Sequence, residues 1–270
     1  MWPRRLPRSV TPSLDRFRND FDSSNGTSVL ILFDIDGTLL RSSGVGPRSM
    51  CMALQELCPP RHEGDFVDPE KMDTAGSLDP LIWKTLLDQR GLDATDVGHD
   101  AFRETYGAIL TKAIEEEDPV YALPGAAEAV AWVQEHPTLE AALLTGNYPE
   151  TGRLKVKAAG FDPDLFRFGT WGSEADRRRG LPPIAMERAR SMFEHAIEPH
   201  ETVIVGDTPA DVDCAHANGC RVIAVATGRF DVESLRPHEP DVLLPNLADL
   251  TRFQDAVAEV LAAGPFEPRH

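Results

Sequence analysis

VLILFDIDGT, residues 29–38, carries five apolar residues into two carboxylates, Asp34 and Asp36, and then a Gly-Thr pair. A short apolar run bounded by turn residues has the length of a buried strand. Two aspartates two positions apart, in chain that is still extended, point to the same face. Neighbouring carboxylates repel, and they are tolerable only beside a cation or when one holds a proton. An Asx-type turn would account for one Asp and for Gly37, but not for the second carboxylate.

Outward from this stretch, short apolar runs alternate with helical segments, the pattern of β-α units around a mostly parallel sheet. Strands are expected at 29–33, 139–144, 166–169, 202–205, 221–226 and 242–244, and helices at 126–135, 150–159, 183–195, 210–217 and 247–262. Pro149, Pro183 and Pro209 stand near helix starts, where a missing N–H costs little. Gly160 and Gly219 stand just past helix ends, where a left-handed cap suits glycine.

The interval 46–118 breaks the alternation. It holds no convincing strand, and amphipathic segments at 49–57, 80–87 and 101–114 predict a small helical domain inserted after the first strand. Ser42-Ser43-Gly44-Val45-Gly46-Pro47 leads into it and Glu115-Glu116-Glu117-Asp118-Pro119 leads out, with Gly44 and Gly46 as expected hinges. A dinucleotide-binding loop does not fit, since the full G-x-G-x-x-G is absent. The expected fold class is α/β: a Rossmann-like three-layer core with a mostly parallel sheet (28–45 and 119–263), plus an inserted all-α helical domain (46–118). Residues 1–27 are rich in Arg and Pro but lack the apolar core of a secretory signal, and they read as a disordered tail rather than a targeting segment.

The formal net charge of -17 makes a field that repels polyanions, which argues against nucleic acid and anionic membrane partners. An anionic substrate must then be met locally, by a metal or an arginine. Cys51, Cys58, Cys214 and Cys220 form no C-x-x-C pair, as expected of reduced thiols in a cytoplasmic protein. No apolar run approaches the roughly 18 residues of a membrane span. His195 and His200 are expected to flank a helix end rather than bind metal.

In open parallel sheets the ligand crevice lies at the carboxyl ends of the strands. Four polar clusters fall there or on adjoining loops: Asp34-Ile35-Asp36-Gly37-Thr38, Thr145-Gly146-Asn147, Arg177-Arg178-Arg179 and Gly206-Asp207-Thr208-Pro209-Ala210-Asp211. Asp207 adds a third carboxylate to the first pair. Oxygen ligands of this kind suit a hard divalent cation, and Mg²⁺ is the usual one beside a phosphate. No G-x-S-x-G elbow, H-E-x-x-H or Walker loop competes with this reading.

DIDGTLL, the threonine of LLTGN, a basic residue ahead of a helix, and GDTPAD, in that order, resemble the four motifs of the haloacid dehalogenase-like superfamily. The motifs span residues 34 to 211. The resemblance implies that Asp34 is a nucleophile toward phosphorus and Asp36 a general acid/base, with Mg²⁺ held by the Asp34 carboxylate, the Asp36 main-chain carbonyl and Asp207, supported by Asp211. It implies that Thr145 donates to a phosphoryl oxygen, helped by Gly146 and Asn147, with Gly37 and Thr38 also at the substrate. For the third motif, spacing to the proline-led helix favours Arg178, with Arg179 next as a substrate-binding cation.

The insert matches the helical cap that the phosphoglycolate-phosphatase-like branch places after its first motif. Here the chain departs from the pattern: Gly76-Ser77-Leu78-Asp79-Pro80 stands where that branch often has a G-R-T-D-like turn, so the resemblance does not extend to phosphoglycolate as substrate. Arg48 and Lys84 are cap cations for which surface solvation is the expected fate. The implied activity is Mg²⁺-dependent hydrolysis of a small-molecule phosphate ester by a monomer or homodimer. Alternatives are a phosphomutase of the β-phosphoglucomutase type and a non-catalytic binding protein of the same fold. Asp36 argues against dehalogenation, whose branch lacks that residue.

Overall fold

A computed structural model describes residues 28–193, 196–266 and 268. The tail expected at 1–27, and His195 with it, lie outside the described residues.

Six parallel strands form one sheet in the order β5-β4-β1-β6-β7-β8. They are β1 (Val29–Phe33), β4 (Leu139–Leu144), β5 (Gly169–Thr170), β6 (Thr202–Gly206), β7 (Arg221–Val225) and β8 (Val242–Leu244). Every residue of β1 is buried, because the strand is central and both its faces are covered. Ile31 and Phe33 pack with Ala141, Leu143, Val203 and Val205 on one face, and Leu30 and Leu32 pack with Ala142, Leu144 and Ile204 on the other. Each of the valine, leucine, isoleucine and phenylalanine side chains contributes about 1.5–3 kcal/mol on leaving water.

Helices α4 (Ala126–Glu135), α5 (Pro149–Ala158) and α9 (Leu250–Ala262) cover the first face. The second is covered by α6 (Leu181–Met192), α7 (Pro209–Ala217) and the short α8 (Val232–Leu235). This is the three-layer α/β arrangement expected from the apolar pattern. Helix α6 starts two residues before the position predicted from Pro183, since Pro182 and Pro183 both fit a first turn whose N–H groups have no helical partner. The strand expected at 166–169 shifts to Gly169–Thr170, although Arg167 N–H already bonds Ala141 O at 2.9 Å.

Between β1 and β4 the chain leaves the sheet through β2 (Leu40–Arg41), which pairs antiparallel with β3 (Tyr121–Ala122) on return. The intervening segment holds α1 (Val45–Leu57), α2 (Asp79–Gln89) and α3 (His99–Glu117). Leu54, Trp83, Leu86, Phe102 and Leu110 bury together there, continuous with one face of the sheet. Gly44 takes a left-handed conformation ahead of α1, whereas Gly46, expected as a hinge, is buried within that helix's first turn. No helix among the described residues is long and apolar enough to cross a membrane.

Strand order decides where the site lies. The connection after β1 runs to β4 on one side and that after β6 runs to β7 on the other, which leaves a crevice at the carboxyl ends of β1 and β6. Asp34 follows β1 and Asp207 follows β6.

Candidate active site

Asp34 continues β1 by one hydrogen bond, its N–H to Val205 O at 3.0 Å. The chain then turns, and Ile35 O accepts from the N–H groups of Thr38, Leu39 and Leu40. Gly37 occupies the left-handed region at φ 86°, which glycine adopts without a Cβ penalty. Asp34 is left buried and Asp36 half-buried. Both line a cavity of about 670 Å³ together with Thr145, Asn147, Arg178 and Asp207.

One carboxylate oxygen each from Asp34, Asp207 and Asp211 lies within 4.8 Å of the others, and all three residues are buried. Burial is the main cause that pushes the Asp34 carboxyl up to about 6, against Arg178, and Asp207 well above its usual range, with repulsion from Asp211 adding to both. Such a cluster calls for positive charge. A Cβ at Gly37 would stand 2.3 Å from Asp207 Oδ2, and one at Gly228 1.6 Å away, so two glycines let backbone close around that carboxylate. The donors are all hard oxygens in a fixed cradle, a set that fits a small divalent cation.

Arg178 supplies part of the charge from within the protein. Its guanidinium lies 2.5 Å from Asp211 Oδ1 and 3.3 Å from Asp34 Oδ1. Burial works against its charge, but Asp211 and Asp34 more than offset this and raise its pKa above the ordinary arginine value. Asp211 is held in turn by Thr208, whose hydroxyl donates to Asp211 Oδ2 at 2.6 Å in a capping box at the start of α7. Asp211 thus orients Arg178 through one oxygen and caps a helix through the other.

Asp36 belongs to a second network. Ser42 Oγ donates to its Oδ1 at 2.7 Å, while Asn147 Nδ2 and Lys155 Nζ donate to Oδ2 at 2.9 and 2.7 Å. Burial alone would raise the Asp36 carboxyl, but the charge and hydrogen bond of Lys155, with those of Ser42 and Asn147, hold it below the usual range. The two aspartates of the opening motif therefore sit in opposite electrostatic settings.

The inserted helices close over this face. Asp79 N–H donates to Gly146 O at 2.7 Å, and Asp79 Oδ2 accepts from Tyr148 N–H at 2.8 Å. Gly76, at φ 69°, packs against Thr208 and Ala210, and its carbonyl accepts from Arg178 Nη1 at 3.4 Å. Met50, Ile82 and Tyr106 line the insert's side of the cavity.

Comparison with known proteins agrees with this architecture. A family model described as HAD-hydrolase-like matches residues 179–250. Phosphoglycolate phosphatase 1 of Pseudomonas aeruginosa is 28% identical over 244 residues, 86% of this chain and 82% of its own. Pyrophosphatase PpaX of Bacillus pumilus is 22% identical over 224 residues, 82% of this chain and 93% of its own. The crystal structure of a hydrolase from Pseudomonas syringae superposes with a TM-score of 0.66 at 18% identity, covering 85% of this chain and 99% of that one. The family model and these relatives support placing the chain among haloacid dehalogenase-like hydrolases, with phosphoglycolate phosphatases among the proteins it is similar to.

In this HAD-like hydrolase the fold brings Asp34, Asp36, Gly37, Thr145, Gly146, Asn147, Arg178 and Asp207 to one cavity. Two residues expected at the substrate take other places. Thr38, expected at the substrate, is fully buried and donates its hydroxyl to Asp207 Oδ1 at 3.1 Å. Arg179, expected as a substrate-binding cation, turns to the surface and pairs with Asp213 at 2.5 Å. Asp211, expected in support of the metal ligands, holds Arg178 and keeps one oxygen within 4.8 Å of oxygens of Asp34 and Asp207. Arg48 pairs with Glu117 at the surface, and Lys84 is exposed.

Lys155 was not among the residues singled out in the sequence. It sits on α5, eight residues past Asn147, and helix packing turns it inward, so that Lys155 and Val156 are buried while Lys157 is exposed; the sequence alone does not tell the two lysines apart.

Proposed function

We propose that this HAD-like hydrolase is a Mg²⁺-dependent phosphatase acting on a small phosphorylated metabolite through an aspartyl-phosphate. The observation that carries the reading is the placement of Asp34 in the cavity, flanked by Arg178 and within reach of Asp207, with Asp36 beside it in a separate hydrogen-bonded seat. The relatives named phosphoglycolate phosphatase and pyrophosphatase support transfer at phosphorus.

In this reading an Asp34 oxygen attacks phosphorus, the P–O bond to the leaving group breaks, and the phosphoryl group rests on Asp34. Asp36 passes a proton to the leaving oxygen and later takes one from the water that attacks the phospho-aspartate. Its three donors hold the Asp36 carboxyl below the usual range, so it must take up a proton before it can act as the acid. Thr145 and the N–H groups around Gly146 and Asn147 bind the phosphoryl oxygens. Asp34, Asp207 and the Asp36 carbonyl would hold Mg²⁺, which when bound neutralises phosphoryl charge. The three-helix insert acts as the cap over the leaving group, excluding water.

The test is inorganic phosphate release from an aryl phosphate in Mg²⁺. Asp34→Asn is expected to abolish it, and full retained activity would overturn the assignment. Isomer formation from sugar phosphates without phosphate release would replace hydrolysis with a phosphomutase reaction.

A further inference from the structure

Lys155 is an ammonium taken almost wholly out of water, with the residue 4% exposed. Such a charge is costly to bury unless it is paired and hydrogen-bonded. Among the described residues its hydrogen-bond acceptors are Asp36 Oδ2 and Asn147 Oδ1, each at 2.7 Å. One lysine therefore touches the acid/base position and the second motif at once, from a helix that contributes no other group to that network.

The donor and acceptor inventory gives this contact a consequence. Lysine only donates, so the face of the Asn147 amide turned toward it must be the oxygen. The amide NH₂ is then turned the other way, to Asp36 Oδ2 at 2.9 Å and Thr145 Oγ1 at 2.8 Å. Thr145 Oγ1 accepts that bond and a longer one from Asn147 N–H at 3.4 Å. With its oxygen accepting, the Thr145 hydroxyl keeps its hydrogen free for the cavity it lines. A reversed amide would place its oxygen beside Thr145 and capture that hydrogen.

Asp36 also favours the observed orientation, but only as an acceptor. A residue that gains and loses a proton during turnover changes between acceptor and donor, whereas lysine stays a donor throughout. We propose that Lys155 is a positioning residue that fixes the Asn147 amide through every step, and so keeps the Thr145 hydroxyl available to a phosphoryl oxygen. The inference rests on the phosphatase reading above.

The test is a double-mutant cycle of Lys155→Met and Asn147→Ala, read as kcat and KM on an aryl phosphate and as inorganic phosphate affinity by calorimetry, with melting curves to confirm folding. Lys155→Met is expected to lower kcat by roughly tenfold to a hundredfold with little change in KM, less than the roughly hundredfold to thousandfold of deleting such a donor outright, because the Thr145 hydroxyl is misdirected and not removed. On the Asn147→Ala background the same substitution is expected to cost less than about threefold, because the group it acts through is gone. Lys155→Arg, which still only donates, is expected to recover much of the loss. Wild-type kcat in Lys155→Met, or a loss that multiplies in full on Asn147→Ala, would overturn the proposal.

If Lys155→Met does not fold, Asn147→Asp gives a second route. An acceptor-only side chain captures the Thr145 hydrogen with Lys155 intact, so a comparable loss of kcat is expected and wild-type activity would overturn the idea. Wild-type protein that binds phosphate but hydrolyses no ester would overturn the catalytic reading alone, and the Lys155 cycle would then be read on phosphate affinity.

Discussion

Arg178 lies 3.3 Å from Asp34 and 2.5 Å from Asp211, and all three side chains are at most 7% exposed. The guanidinium thus bridges the proposed nucleophile and the residue that caps α7. Its planar fork makes two contacts to one Asp211 oxygen, through Nε at 3.1 Å and Nη2 at 2.5 Å. An ammonium keeps the charge but cannot reproduce this geometry. Arg178→Lys is therefore expected to lower kcat/KM by roughly a hundredfold. Arg179→Ala removes a surface pair worth about 0–1 kcal/mol and is expected to stay within about twofold of wild type. Steady-state kinetics on an aryl phosphate check both.

Asp207 is crowded by Asp34 and Asp211 in a buried site. A cation that binds the folded state alone stabilises it by mass action. Mg²⁺ is expected to raise the melting temperature of the wild type by several degrees and that of Asp207→Asn by little. The same substitution removes one of the repelling charges, so metal-free Asp207→Asn is expected to melt above the metal-free wild type. Differential scanning fluorimetry with and without a chelator reads both effects.

Asp79 anchors the insert on the second-motif loop, and burial pushes its carboxyl up to about 7 from 3.8, with Lys155 and the Tyr148 N–H opposing and Asp36 and Glu150 adding to the rise. A carboxyl whose folded pKa is raised binds more protons folded than unfolded, so its contribution is full below about pH 4 and is lost as pH rises through about 7. Asp79→Asn keeps an oxygen for Tyr148 N–H and has no charge to bury. Its melting temperature is expected to exceed that of the wild type at pH 8, with the gap closing toward pH 4. Melting curves across this range check the sign.

Gly76 places a left-handed residue of the insert against α7. A Cβ there would stand 2.6 Å from Ala210 Cβ and 2.9 Å from Thr208 Oγ1. Gly76→Ala is expected to cost about 1–3 kcal/mol through backbone strain and contact, and to lower kcat/KM by moving the loop that meets Arg178. Adding Ala210→Gly removes the closest contact but not the backbone strain, so partial recovery is expected. Chemical denaturation and kinetics on the single and double variants separate the two contributions.

Much of this molecule was legible in one dimension. The β1 run, the switch to 3.6-residue periodicity, and the prolines and glycines at helix ends depend on neighbours a few residues away. The Asp34/Asp36 pair was legible as carboxylates at a strand end, but the turn at Ile35 seats the two in different networks. The departures at Gly169–Thr170 and Leu181 are shifts of a few residues, set by where ladder bonds and a first helical turn find partners.

The adjacent arginines were different. Arg178 and Arg179 have the same chemistry, and only the docking of the Arg178–Gly180 turn on α7 sends one to Asp211 and the other to Asp213.

The sequence by itself determined that carboxylates would gather at the ends of β1 and β6 and that a helical segment would interrupt the sheet, because strand alternation and helical period are local. Which cation faces which carboxylate was decided by tertiary structure alone. Lys155 and Asp36 are 119 residues apart in the chain, and Arg178 and Asp211 are 33 apart. Such pairs form only after α5, α7 and the insert have packed, when the loss of water makes each unpaired charge too costly to leave without a partner.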